Sequence, residues 1–192
     1  MVKALKDHGF DGDIVSWTRG VDRSIFYSNK NFVSNRTLLC VSRVSKEKSL
    51  EDFFNLDCPG YRKIMVGDGP MLKEYKTQYT DIEFTGYKRG KEPADYYRQA
   101  DVFVFPSKWE TFGIVMIEAM ACGVPVAAYP CQGPLDVIDQ GQTGFMEDNL
   151  KIAVTKCLAL NRDEVALNSE KWSWENTWKI FKQNLIEVTW IH

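Results

Sequence analysis

The chain reads as an α/β domain, a parallel sheet of about six strands flanked by helices, and three observations carry that reading. Short β-branched and aliphatic runs alternate with longer amphipathic stretches, the rhythm of βα units wound around a parallel sheet. The chain has 192 residues, 44% of them hydrophobic and 13% aromatic, which suits one domain burying about 70% of its unfolded surface. After Asn149 two or three helical patterns follow one another without a strand, so the sheet is complete well before the last residue.

Taken in order, residues 1–36 stand outside the βα rhythm. A helix through His8 leads to Asp11-Gly12-Asp13, an extended run over 14–17, and then Arg19-Gly20-Val21-Asp22, a stretch read as a linker arriving from elsewhere. Strands are expected at about 38–42, 63–66, 82–85, 102–105, 124–129 and 144–146, where aliphatic and aromatic side chains run together. Helices fit between them at about 49–56, 71–78, 92–100, 112–122 and 134–139. A helical, Trp-rich segment from Trp172 to Trp190 closes the chain.

Composition removes several function classes. Lys plus Arg is 24 against 26 for Asp plus Glu, a net charge of -2, far from the basic balance that binding a phosphate backbone demands, so nucleic acid is a poor partner. The five cysteines are odd in number and none are spaced C-x-x-C, which reads as reduced, mostly buried cytosolic thiols. Only His8 and His192 are histidines, one near each end, which disfavours His-based zinc sites and Ser-His or Cys-His catalysis. The first residues, Met-Val-Lys-Ala-Leu-Lys-Asp, are too charged for a signal peptide, and the apolar runs fall short of the roughly 20 residues that span a bilayer. A soluble, cytoplasmic chain is the expectation.

The most informative stretch runs from Ser107 through Glu110, Gly113, Glu118 and Gly123 to Val126. Pro106 ends the preceding strand because it cannot continue a hydrogen-bond ladder. The loop then turns into a helix near Phe112 or Gly113, so unpaired amides point out from the carboxyl end of a parallel sheet, where α/β folds bind ligands and where a pyrophosphate is well received. Gly113 removes the side chain where phosphate would approach the backbone. A helix beginning at 112 puts Glu118 about 9 Å along the axis, where a carboxylate can accept two ribose hydroxyls while Glu110 faces the other end of the ligand. On spacing alone a second reading stands equal: Glu118 an exposed helix residue and Glu110 a capping acid.

Glu110 and Glu118, separated by seven residues, with the Thr-Phe-Gly start and the following Ala-x-Ala-x-Gly-x-Pro-Val, resemble the signature of family 4 retaining glycosyltransferases, the group 1 glycosyl transferases of GT-B fold. Further matches occur in order: Gly20-Val21-Asp22 with Phe26, the turn Gly67-Asp68-Gly69-Pro70, Ala100-Asp101 leading into the strand that ends at Phe105-Pro106-Ser107, and Gly141-Gln-Thr-Gly144 at the last short strand. The resemblance implies the C-terminal, Rossmann-like half of a GT-B fold. It implies that Glu118 binds the donor ribose, that Glu110 contacts the donor sugar near the reacting carbon, and that the amides of Gly113 and Ile114 hold the diphosphate.

Val41-Ser42-Arg43 and the Lys five residues on, Lys48, resemble the cations that the family sets on the donor diphosphate; Ser42 and Ser49 stand where the family usually has Gly. By the same resemblance Tyr87 and Lys88, after the strand ending at Gly86, lie where the base is held, although an ordinary surface Tyr fits the sequence equally. Gly133-Pro134 falls near the donor-sugar pocket, or is a plain helix start. Asp11-Gly12-Asp13 has the D-x-D form of metal-dependent glycosyltransferases of another fold but precedes the sheet, and Gly67-x-Gly69 lacks the third glycine of a dinucleotide fingerprint because Leu72 stands there.

The resemblance therefore implies transfer of a hexose from a nucleoside-diphosphate sugar, of the UDP-glucose or GDP-mannose kind, to an acceptor hydroxyl, with no metal and no cofactor beyond the donor. Residues 1–36 are then a linker and the remnant of an N-terminal acceptor-binding domain, 37–170 the donor domain, and 171–192 a helix crossing back to the absent partner domain. That places Trp172, Trp174, Trp178, Phe181 and Trp190 on a partly exposed aromatic surface, unless Trp174, Trp178 and Phe181 pack on their own domain. The short segment between Lys48 and Gly69 resembles a bacterial subset whose acceptors are often lipids, implying a membrane lipid acceptor and peripheral attachment at the inner membrane face. The chain alone is expected to bind donor and transfer nothing. Two alternatives remain open: a non-catalytic nucleotide-sugar-binding module, and one half of an epimerase or phosphorylase with the same fold.

Overall fold

The computed structural model describes residues 2–185 apart from Asp13 and Ser16. Helix α1 (Val2–Asp7) comes first, then β1 (Thr37–Val41), a 3-10 turn at Lys46–Lys48, α2 (Leu50–Phe54), β2 (Arg62–Val66), α3 (Leu72–Gln78), β3 (Ile82–Gly86) and α4 (Glu92–Gln99). The second half runs β4 (Val102–Phe105), α5 (Ile114–Ala121), β5 (Val126–Ala128), α6 (Gln132–Val137), β6 (Gly144–Met146), α7 (Leu150–Cys157), α8 (Arg162–Asn168), a 3-10 turn at Ser169–Trp172, and α9 (Trp174–Gln183).

Among the described residues the six strands form one parallel sheet in the order β3-β2-β1-β4-β5-β6. Continuous apolar runs make these strands because both faces are covered, and alternate residues serve opposite faces. Leu39, Ile64, Phe103 and Val126 join one core with α4, α5 and α8. Leu38, Cys40, Val102, Val104 and Ala127 join the other with α2 and α7. The strand order reverses between β1 and β4, so the loops leaving their carboxyl ends diverge and open a crevice there.

Two backbone devices shape the β1 side of that crevice. The turn after β2 is pressed onto the segment after β1: the Ser42 amide donates to Val66 O at 3.1 Å and the Val44 amide to Asp68 O at 2.9 Å. A Cβ on Gly69 would lie 2.3 Å from Val44 O, closer than any side chain permits. The Gly67-Asp68-Gly69 turn is thus the mould against which the Arg43 segment is cast.

At the opposite end of the sheet, Asp101 accepts the Thr37 amide at 2.7 Å, and Arg162 donates to Ala100 O at 2.6 Å. The Ala100-Asp101 pair thereby aligns the starts of β1 and β4.

Several expected boundaries move. The helix expected over 112–122 starts at Ile114, because Gly113 has φ 77 and cannot belong to a right-handed helix. Glu118 is consequently about 6 Å along the axis, not 9. The strand expected over 124–129 is cut to Val126–Ala128, and the helix expected at 134 begins at Gln132, so Pro134 sits in its third position. No strand forms at the described residues of 14–17.

The segment read as a linker packs on the domain from Gly20 onward. Val21 and Phe26 are buried in the α4–α5 core. Asp22 accepts both the Ser24 amide at 2.9 Å and its hydroxyl at 2.6 Å, an Asx turn that folds the chain back toward Phe26.

Trp172, expected on the aromatic surface, is instead buried, edge-on to Phe112 with ring centres 5.6 Å apart. Trp174 and Trp178 are exposed, and Trp178 stacks on Phe181, which also meets Trp17 at 5.0 Å. Trp190 lies outside the described residues, as does Asp13 of the D-x-D pattern. Among the described residues no helix is long and apolar enough to cross a membrane.

Gly69→Ala tests the mould. Forcing a methyl group against Val44 O is expected to destabilise the fold by about 1–3 kcal/mol, the usual range for overpacking, read as a lower urea midpoint. An unchanged midpoint would show that the two segments are not in this contact.

Candidate functional site

The crevice at the strand reversal is a cleft of about 380 Å³. Five of the residues singled out in the sequence, Arg43, Lys48, Glu110, Gly113 and Ile114, line it together. They come from two separate loops: the first two from the turn after β1, the rest from the loop and helix start after β4.

Lys48 closes the 3-10 turn, and its Nζ donates to Glu110 Oε2 at 3.0 Å across the crevice. Both side chains are mostly covered, with 23% and 19% of their surface exposed. Arg43 is exposed, and it has no ion pair among the described residues.

Glu110 is held by its backbone as well as by its charge. The Gly133 amide donates to Glu110 O at 3.1 Å, and a Cβ on Gly133 would lie 3.1 Å from Glu110 Cγ. Gly133 therefore buttresses the acid, a role neither of its sequence readings contained. Glu110 Oε1 accepts the Thr111 amide at 2.9 Å. Burial pushes the Glu110 carboxyl up, but the Lys48 ammonium and the Thr111 and Phe112 amides outweigh it, so the pKa is lowered and Glu110 is ionised at neutral pH.

The N-terminus of α5 opens into the same cleft. Gly113, in the left-handed region, is its N-cap and offers no side chain, and the first turn carries no acid. The first amides of a helix have no partner within it, so this end presents uncapped donors and the positive end of the helix dipole. Glu110 does not cap this helix, contrary to the second reading of its spacing, because its carboxylate takes the Thr111 amide ahead of α5.

Glu118 stands apart. It is the sole charged residue in the apolar helix Ile114–Ala121, does not line the cleft, and is only half-buried. The hydroxyl of Tyr97, a fully buried α4 residue, donates to Glu118 Oε2 at 3.0 Å. Burial raises its pKa to about 7, opposed only by that hydrogen bond. This is a pinned carboxyl at the edge of the core, not the exposed helix residue of the alternative reading.

Tyr87 and Lys88 follow β3, two strands out from β1, and do not line the cleft. Tyr87 is 65% exposed with Arg89 5.6 Å over its ring, and Lys88 lies 5.8 Å over Tyr96.

Two contributors escaped the sequence reading, Arg19, which lines the cleft, and Tyr97, and so did the role of Gly133 against Glu110. Only Arg19 carried a signal, its place directly before Gly20-Val21-Asp22. Among the described residues no group of three or more His, Cys, Asp or Glu side chains is gathered for a metal ion.

The comparisons with known proteins follow the same elements. The family described as glycosyl transferases group 1 matches residues 22–153. A GDP-mannose-dependent alpha-mannosyltransferase of Corynebacterium glutamicum is 35% identical over 158 residues, covering 77% of this chain and 38% of its own length. Sulfoquinovosyl transferase SQD2 of Arabidopsis thaliana is 34% identical over 169 residues, covering 77% of this chain and 33% of its own. The chain thus spans less than two-fifths of the length of these curated relatives. A solved structure of S. aureus TarM with UDP shares the fold at a TM-score of 0.75 and 21% identity, over 95% of this chain and 41% of that one. With a match that runs from Asp22 through every strand of the sheet to α7, the chain belongs to the glycosyl transferases group 1 family.

Proposed function

We infer that the chain is the donor-binding half of a retaining, family 4 glycosyltransferase of GT-B fold, which moves a hexosyl group from a nucleoside-diphosphate sugar to an acceptor hydroxyl. The observation that carries this reading is the meeting of Arg43, Lys48, Glu110 and an uncapped helix N-terminus in one cleft at the strand reversal. Arg43, Lys48 and the Gly113 and Ile114 amides hold the diphosphate. Because charge grows on that group as the glycosidic bond breaks, these fixed donors stabilise the transition state more than the ground state.

Glu118 receives the ribose hydroxyls on the carboxylate that Tyr97 pins. Glu110, kept anionic by Lys48, faces the sugar, where a negative charge stabilises an oxocarbenium-like centre. No carboxylate in the cleft is assigned as a covalent nucleophile; attack on the same face, assisted by the leaving diphosphate, accounts for retention. Tyr87 and Lys88 take the base side. The acceptor, a membrane lipid on this reading, belongs to an N-terminal domain outside the chain, which attaches at the membrane surface as a cytoplasmic protein. The exposed Trp174 and Trp178 face that domain.

Titration calorimetry with UDP and GDP, followed by a transfer assay on lipid and sugar acceptors, tests the reading. One diphosphate is expected to bind equally with magnesium and with chelator, and the chain alone to transfer nothing. A strict metal requirement contradicts the assignment of protein cations to the diphosphate, and robust transfer contradicts the assignment of one half.

Glu118→Gln is expected to weaken the same diphosphate by about 1.5–3 kcal/mol at pH 8, the range for hydrogen bonds to a charged acceptor. A group titrating at about 7 is protonated at pH 6 and ionised at pH 8, so the wild-type advantage over the variant grows as pH rises through 7. An advantage independent of pH would remove the Glu118 carboxylate from the ribose site. Glu110→Gln is expected to leave diphosphate affinity nearly unchanged.

A further inference from the structure

Among the described residues, Arg19 is the cleft cation that comes from neither loop of the sheet. It lies in the N-terminal segment, is exposed, and has no hydrogen bond or ion pair among the described residues. Lys48, by contrast, is already engaged by Glu110. The cleft walls therefore carry three cations and one acid, an excess of two positive charges, and Arg19 supplies one of them.

The segment carrying Arg19 is fastened on its C-terminal side. The Val21 amide donates to Trp172 O at 2.8 Å, and Val21 makes an isolated parallel bridge with Ser173. Gly20 is pressed so closely on the chain that a Cβ there would lie 2.5 Å from Trp174 Cα. Val21 is buried, and so is Trp172, whose ring meets Phe112 in the wall of the cleft. A closed circuit results: from Phe112 to Trp172, from Trp172 to Val21, and two residues back to Arg19 over the same cleft. An exposed arginine on an unfastened strand would spread its charge over a wide volume; this one is tethered at the rim, where its guanidinium fork suits phosphate oxygens.

We propose that Arg19 is a third cationic ligand for the donor diphosphate, held over the cleft by the clasp of Gly20 and Val21 on the Trp172–Trp174 segment. The proposal rests on the donor-binding reading above and adds a residue to it. It also makes the start of α9 a determinant of donor affinity, since the backbone at Trp172 and Ser173 is what fixes the arm.

Calorimetric titration of the wild-type chain, Arg19→Ala, Arg19→Lys and the remote control Lys73→Ala with UDP and GDP, at low and high salt, tests it. For the diphosphate that binds, Arg19→Ala is expected to raise Kd about tenfold at low salt and to flatten its salt dependence, since a lost exposed charge no longer contributes screened attraction. Arg19→Lys falls between, and Lys73→Ala matches the wild type. Wild-type affinity in Arg19→Ala overturns this inference alone, as does weakened binding with an unchanged salt dependence, which would mark Arg19 as structural. A wild-type chain that binds neither UDP nor GDP overturns the donor-binding reading, and this inference with it.

Discussion

The 3.0 Å ion pair between Lys48 and Glu110 is the interaction that joins the two walls of the cleft, because it ties the turn after β1 directly to the loop after β4, while Lys108 and Asp52 at 2.8 Å tie α2 to the same loop. The parallel sheet forces those loops apart at the strand reversal, and each is otherwise placed by a different neighbour, the turn after β2 on one side and Gly133 on the other. A partly exposed pair of this kind is worth little as stability, about 0–1 kcal/mol. Its consequence is positional: the ammonium is aimed inward and the carboxyl is kept ionised. Each partner is in turn backed by glycine contacts, Gly69 against Val44 on one side and Gly133 against Glu110 on the other. Rigid backing of this sort means that the charges need little reorganisation when an anion arrives, which is the condition under which fixed dipoles and charges lower a barrier most.

One short segment, the loop into α5 and α5 itself, carries two acids treated in opposite ways. Glu110, just before α5, sits with a cation and two amides and is held ionised, whereas Glu118, inside α5, is backed by the core and by Tyr97 and titrates near 7. The difference is environmental, since the residue type is the same. Divergent environments for two carboxylates on one short segment are a mark of divided labour, and the division drawn here sets Glu110 toward the sugar and Glu118 toward ribose.

The sheet and the order of its elements were legible in the sequence because continuous aliphatic runs between amphipathic stretches leave few other folds. The anion-facing loop was legible for a chemical reason: Pro106 must end a strand, and Gly113 leaves the backbone bare where the chain turns into the next helix. What could not be read was anything set by contact between distant segments. The start of α5 at Ile114 follows from Gly113 taking φ 77, and the alternation of residues did not encode it. The burial of Trp172 follows from Val21 and Phe112 closing over it, so an aromatic at the end of the chain looked like surface. Gly133 looked like a helix start or a ligand contact, and only the approach of Glu110 from 23 residues upstream, by their numbering, reveals what the missing side chain is for.

The central claim, that the cleft between the β1 and β4 loops is an anion site for a nucleoside diphosphate, is most directly tested by a crystal structure of the chain grown with UDP or GDP. The account predicts the two phosphates against the Gly113 and Ile114 amides, with Arg43 and Lys48 within hydrogen-bonding distance and the ribose beside Glu118. A nucleotide bound elsewhere on the domain, or phosphates in the cleft with the ribose turned away from Glu118, would contradict it.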